Sequence, residues 1–232
     1  GMSFSHVTKL RMVMQEMFRQ AYRSRLIPFD PSAGLRLPKN SKRSHRSITE
    51  EERAHILEVA AYHPSGLWVL LILYSGLRPG EAAALQWKDI DFDRNEIHVY
   101  KAIESGTNHI KTPKTAAGIR DIPMRKDLRQ LLWQARGDPF SLLFPTKKGT
   151  VRSSTSVWRL WNSFAKELDL HMGAEEQDGK IVHHAIAPDL TLYCLRHTFC
   201  TDLQRAGVAI NIAKELMGHS SIAVTADIYT HR

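Results

Sequence analysis

Two cysteines in 232 residues leave no disulfide framework to read. Cys194 and Cys200 stand six positions apart in one predicted helix. That offset puts them on different faces and about 9 Å apart along the axis, too far to bridge. They read as core thiols of a cytoplasmic protein. Long hydrophobic runs are also missing. The longest, Leu67 to Tyr74, is a turn or two of helix and far short of a membrane span. No signal peptide is recognisable, and Gly1-Met2 reads as a cleavage scar. There is no P-loop, Gly-rich dinucleotide turn, HExxH, CxxC or GxSxG, so nucleotide, zinc and Ser-hydrolase chemistries have no sequence support. Acids are outnumbered, 24 against 32 basic residues, for a net charge of +8. On a folded, non-repetitive chain this balance favours a polyanionic partner, nucleic acid before an anionic membrane surface.

At this length, with 43% hydrophobic residues, the chain suits one good-sized domain plus a small appendage. Residues 5–26 read as an amphipathic helix, with Val7, Leu10, Met14, Met17, Phe18, Ala21 and Tyr22 at helical spacing. Such a stripe either docks on the main domain or belongs to a domain of which this is the last helix. Residues 28–47 form a linker. Pro28, Pro31, Pro38 and Gly34 break helix, and Lys39, Lys42, Arg43, His45 and Arg46 make it basic. It reads equally as a solvated tether or as a strap along a phosphate backbone.

The compact domain begins at 48. Thr49 with Glu52 is a capping box opening a helix to about Tyr62. Gly66 to Ser75 predicts a buried helix. Pro79 suits the first position of the next helix and Glu81 its first turn, so Arg78 sits where backbone amides already favour an anion. Period-two alternation over 89–92 and 96–100, with Ile119 to Pro123 as a third strand, predicts a small antiparallel sheet. Lys111 to Gly118 reads as a basic loop or hairpin tip. Helices are expected at 126–136 and 154–168, and 171–189 reads as loop. The adjacent His183 and His184 lack Cys, Asp or Glu at ligand spacing, so no metal centre is expected there.

The residues with chemical promise are basic side chains at turn-to-helix junctions and a late tyrosine. Arginine forks match phosphate oxygens bidentately. A lysine can protonate a leaving oxygen, and a deprotonated tyrosine can be a covalent nucleophile. Four stretches set their order: Tyr74-Ser-Gly-Leu-Arg78-Pro-Gly-Glu81; Lys111-Thr-Pro-Lys114-Thr with Ile119-Arg-Asp-Ile-Pro123; Leu195-Arg196-His197-Thr198-Phe199; and Leu216-Met-Gly-His219-Ser-Ser-Ile with Thr225 and Tyr229-Thr-His231.

In these stretches the chain resembles a tyrosine recombinase of the phage and conjugative-transposon integrase type, over about residues 48–232. The resemblance implies an α+β, mainly α-helical catalytic domain with a small three-stranded antiparallel sheet. It makes residues 1–27 the last helix of a truncated core-binding domain and 28–47 the interdomain strap, with Lys39, Lys42, Arg43, Arg46 and Lys111 against DNA. It implies that Arg78 and Arg196 bind the scissile phosphate and that Lys114, with Lys111 as the alternative, protonates the 5′ oxygen. His219 donates a hydrogen bond to the phosphate, and Tyr229 attacks to give a 3′-phosphotyrosyl link. Glu81 supports Arg78, and His197 buttresses Arg196. Tyr193 stands where the family usually has histidine, which leaves open what deprotonates Tyr229.

The implied partners are double-stranded DNA at attachment sites and a homotetramer in the full-length synaptic complex; the resemblance leaves open whether an accessory excisionase is needed. Relatives often continue past the tyrosine into a tail that packs on a neighbouring subunit; were that tail missing here, the chain would be expected to be monomeric. No cofactor and no metal are implied, and no membrane. Two other readings stand beside the recombinase: a non-catalytic DNA-binding relic or regulator of the same fold, and a type IB topoisomerase.

Overall fold

Helical spacing of the N-terminal apolar residues produces α1 (Phe4–Arg23), whose Leu10, Met14, Met17 and Tyr22 are exposed. The computed structural model describes residues 4–37, 46–104, 107–113 and 116–230, and α1 belongs to the smaller of its two units, Gly1–Ser44; the larger is His45–Arg232.

The larger unit opens on the expected capping box. Thr49 Oγ1 accepts from Glu52 N, and Glu52 Oε2 from Thr49 N, to start α2 (Glu50–Ala60). Its centre is α3 (Gly66–Ser75). Trp68, Val69, Leu71, Ile72 and Leu73 there expose nothing. A helix apolar on every side must be enclosed on every side. The enclosing elements are α2, α4 (Pro79–Ala82), α5 (Lys126–Gln134) and α7 (Leu192–Arg205). Cys194 and Cys200 of α7 are free and buried.

Between α4 and α5 lies the sheet. β1 (Ile90–Asp91), β2 (Glu96–Val99) and β5 (Arg120–Pro123) pair antiparallel in the order β1-β2-β5. Ile97 faces Ile122 across the ladder, and both are fully buried. β3 (Ala102–Ile103) and β4 (Ile110–Lys111) form a separate hairpin that leads to the basic loop. The period-two reading of the sheet holds because one face is covered and the other is wet.

The loop expected over 171–189 is corrected. After α6 (Ser154–His171) the chain forms a hairpin of β6 (Glu175–Gln177) and β7 (Lys180–His183). Almost every residue in it is exposed, so no apolar alternation marks it. Its signal was Asp178-Gly179, both with positive φ (51° and 77°), as a two-residue hairpin turn requires. Buried Asp169 fastens the segment after the hairpin, accepting from the amides of Ala185 and Ile186 and from His184 Nδ1.

The chain finishes with α8 (Ile210–Met217) and α9 (Ile222–Thr230), packed on each other and on α7. No helix among the described residues is long and apolar enough to cross a membrane.

Candidate active site

Helix α8 stops because Gly218 turns left-handed, at φ 63°. A helix end leaves its last carbonyls without intrahelical partners, at the negative pole of the dipole. Here three consecutive carbonyls take one arginine each. Leu216 O accepts from Arg120 Nε at 2.7 Å, Met217 O from Arg196 Nη2, and Gly218 O from Arg78 Nη2 at 2.7 Å. Residues from β5, α7 and the α3–α4 junction are thereby gathered at one helix terminus. The other side of Arg196 donates to Gly76 O, at the left-handed end of α3.

Glu81 ties the set together. Its carboxylate accepts from Arg78 N and Nη1, both at 2.8 Å, and from Arg120 Nη2 at 2.8 Å and Nη1 at 3.2 Å. Burial works to raise its pKa, but Arg120 and then Arg78 win and hold it at about 2. Three guanidiniums less one carboxylate leave a formal +2 on the cluster. Arg196 feels that excess. Burial and the neighbouring Arg78 and Arg120 push it down to about 9, which still leaves it charged at neutral pH. Arg78 is the open member, its side chain 41% exposed, while Arg120 and Arg196 are buried.

His219 follows in the same turn. Its Nδ1 lies 2.9 Å from Thr225 Oγ1. Burial first, then Arg196, Arg78 and Arg120, lower its pKa to about 4, so the imidazole is neutral near pH 7. In the tautomer whose Nδ1 accepts from the threonine hydroxyl, Nε2 carries the proton and can donate. A cavity of about 490 Å³ opens beside it, lined by Ala117, Arg120, Leu216 and His219 among others.

Tyr229 is engaged elsewhere. Its hydroxyl donates to Val208 O at 3.2 Å, in the α7–α8 connection, and its own carbonyl accepts from Gln204 Nε2 at 2.6 Å. Burial, then Cys200, raise its pKa.

Other expected residues take varied places. Tyr193 is exposed on the first turn of α7, 6.3 Å between ring centroids from Trp158. His197 turns toward the start of the domain, with Nδ1 3.3 Å from Ser47 Oγ. Arg46 grips Glu52 with two nitrogens and Asp189 with Nε. Lys111 Nζ is 2.6 Å from Glu104 Oε1. Lys39, Lys42, Arg43 and Lys114 lie outside the described residues. Sequence reading missed Arg120. The available signal was its inward register in β5, where it shares the core face with Ile122. An arginine there needs a buried acid.

A family model described as the phage integrase family matches residues 46–232. The chain belongs to the phage integrase family. Residues 46–232 are a tyrosine recombinase/integrase catalytic domain. Among curated relatives, the chain is 29% identical over 212 residues to a tyrosine recombinase XerC-like protein of Caldanaerobacter subterraneus subsp. tengcongensis, covering 80% of this chain and 50% of that protein. It is 27% identical over 202 residues to the transposase from transposon Tn916 of Enterococcus faecalis, covering 79% and 47%. The chain thus spans about half the length of these relatives. The fold is also that of the Tn1549 transposon integrase in complex with a circular intermediate DNA, with a TM-score of 0.80 and 23% identity over 100% of this chain and 76% of that one.

Proposed function

We propose that the domain cuts and rejoins double-stranded DNA through a tyrosyl intermediate, in the integration and excision of a mobile element. The observation that carries this is the grouping of Arg78, Arg196 and His219 on the turn that ends α8. A phosphodiester carries one negative charge, and a second builds as a nucleophile adds to phosphorus. The formal +2 of the cluster matches that state, and fixed donors in a partly dry site need no reorganisation as it forms. Arg78 and Arg196 hold the non-bridging oxygens, and neutral His219 donates through Nε2. Glu81 and Arg120 position Arg78.

In the reaction the Tyr229 oxygen forms a bond to phosphorus, and the bond to the 5′ oxygen breaks. The phenolic proton leaves to a base, and Lys114, or Lys111, supplies a proton to the departing oxygen. The product is a 3′-phosphotyrosyl link and a free 5′ hydroxyl; attack by another strand's hydroxyl reverses the chemistry and joins new ends. Before attack, the Tyr229 hydroxyl gives up the Val208 carbonyl. The basic strap at Lys39, Lys42 and Arg43 holds the DNA backbone. The transposon relatives support a mobile-element role, and the full-length protein acts as a tetramer on its attachment sites, with an excisionase setting direction.

The test is a nicked duplex built from the direct repeats flanking the gene, incubated with the full-length protein. A covalent protein–DNA adduct that Tyr229→Phe abolishes is expected. A second reading, a DNA-binding relic, draws on the engaged Tyr229 hydroxyl and on tyrosine at position 193. Salt-sensitive binding to the same duplex with no adduct from the unsubstituted protein would establish that reading and sink the first.

A further inference from the structure

Away from the arginine cluster, the seam between α2 and α6 carries a group of side chains that the recombination chemistry does not use. His55 and Glu58 stand one turn apart on α2, and His171 is the last residue of α6. One nitrogen from each histidine and one Glu58 oxygen lie within 4.8 Å of one another.

The bonding within this group is incomplete. His171 Nε2 meets Glu58 Oε2 at 2.8 Å. His55 Nδ1 sits 3.8 Å from the same oxygen, too far for a hydrogen bond. That nitrogen is shielded from solvent and has no hydrogen-bond partner, which is a costly arrangement for a polar atom. The two imidazole rings face each other edge-on, with centroids 5.2 Å apart. Nitrogen and oxygen ligands around a tetrahedral ion are separated by roughly 3.4 Å, given metal–ligand distances of about 2.0–2.2 Å. The 2.8 Å and 3.8 Å separations bracket that value, so small side-chain rotations close the set around an ion.

We propose that His55, Glu58 and His171 bind one divalent transition-metal ion of the zinc or cobalt class, which clips the end of α2 to the end of α6. Two imidazoles and one carboxylate suit a borderline ion better than the oxygen-only demands of magnesium or calcium. The role is structural. No residue of the group bonds Arg78, Arg196 or His219. Sequence spacing could not reveal the site, because the third ligand comes from a different helix.

Among the described residues, a second group, Glu96, His98 and Asp121 on the sheet, also has ligand atoms within reach of one another. It differs in that His98 is already placed between two carboxylates, with Nδ1 2.6 Å from Asp121 and Nε2 3.7 Å from Asp91. It therefore serves as the internal control.

The experiment uses the whole chain without a histidine tag, stripped by a chelator and titrated with cobalt chloride. Saturation at one equivalent is expected, with visible d–d absorption that zinc displaces, and zinc should raise Tm by a few degrees. His171→Ala and Glu58→Gln should each weaken cobalt binding by at least about tenfold, with an unchanged circular dichroism spectrum in chelator. His98→Ala should bind as the parent does. Absence of a stoichiometric visible band overturns the proposal. So does a band that survives both His171→Ala and Glu58→Gln, or one that His98→Ala removes.

Discussion

Arg78 and Arg196 hang from neighbouring carbonyls, those of Gly218 and Met217. Their guanidiniums therefore share one face of the molecule, fixed by the backbone of a single helix end. Arg196 uses a second nitrogen on Gly76 O, so its planar fork spans the ends of α3 and α8. A lysine offers one point of charge and cannot span both. Arg196→Lys should lower single-turnover cleavage of a nicked site by about a hundredfold or more, while salt-dependent DNA binding changes little.

Glu81 sets an acid limit on stability. Its carboxyl is held at about 2 in the fold, against 4.5 as a free side chain. Because the folded value is depressed, the stabilisation is complete above about pH 4.5 and is lost as pH falls toward 2. Its size is on the order of 3 kcal/mol. Denaturant unfolding across that window should show the slope. Glu81→Gln should flatten it and also destabilise the protein at pH 7, by about 3–5 kcal/mol, since Arg120 is left buried without its acid.

Gly218 is required twice over. Its φ of 63° strains any side chain, and an added Cβ would sit 2.8 Å from Arg120 Nη1 and 3.0 Å from Ala117 O. The left-handed backbone alone costs about 1 kcal/mol for a residue other than glycine. Gly218→Ala should therefore lower stability by more than that figure in chemical denaturation. Because the arginines lean on this turn, cleavage should fall further than the loss of folded protein explains.

The imidazole of His219 should titrate near 4 rather than 6.5, because burial and three arginines oppose its charging. Its folded value is lowered, so its contribution to stability is intact above about pH 6.5 and declines as pH falls toward 4. Nitrogen-15 NMR of the ring reads this directly. A bound phosphodiester should move the titration upward, since it supplies the missing negative charge.

Tyr229→Phe removes one hydrogen bond, to Val208 O. Stability should change by no more than about 1 kcal/mol, and DNA affinity should be unchanged. Covalent adduct formation should disappear, as gel electrophoresis under denaturing conditions would show.

Legibility from the residues alone was a matter of range. The bounds of α3, the capping box at Thr49 and the inward alternation of β2 and β5 are local, and they emerge where one face is buried. The β6–β7 hairpin escaped because both its faces are wet and leave no apolar rhythm, although Asp178-Gly179 announced the turn. Arg78, Arg196 and His219 could be named from their motifs. The hold of the carbonyls of 216–218 on the arginines could not, because a carbonyl is present at every position and only the fold decides which ones lack a helical partner. Arg120 escaped for a related reason: its need for Glu81 appears only when β5 is brought against α4.

Main-chain oxygens hold the cationic set at the end of α8, and no side-chain replacement can delete an oxygen of the backbone. The side chains at 216 and 217 therefore act on charge placement only through the packing that holds the helix end. Handedness at 218 acts on it directly, and any laboratory attempt to move the site's charges should begin by shifting where that helix stops.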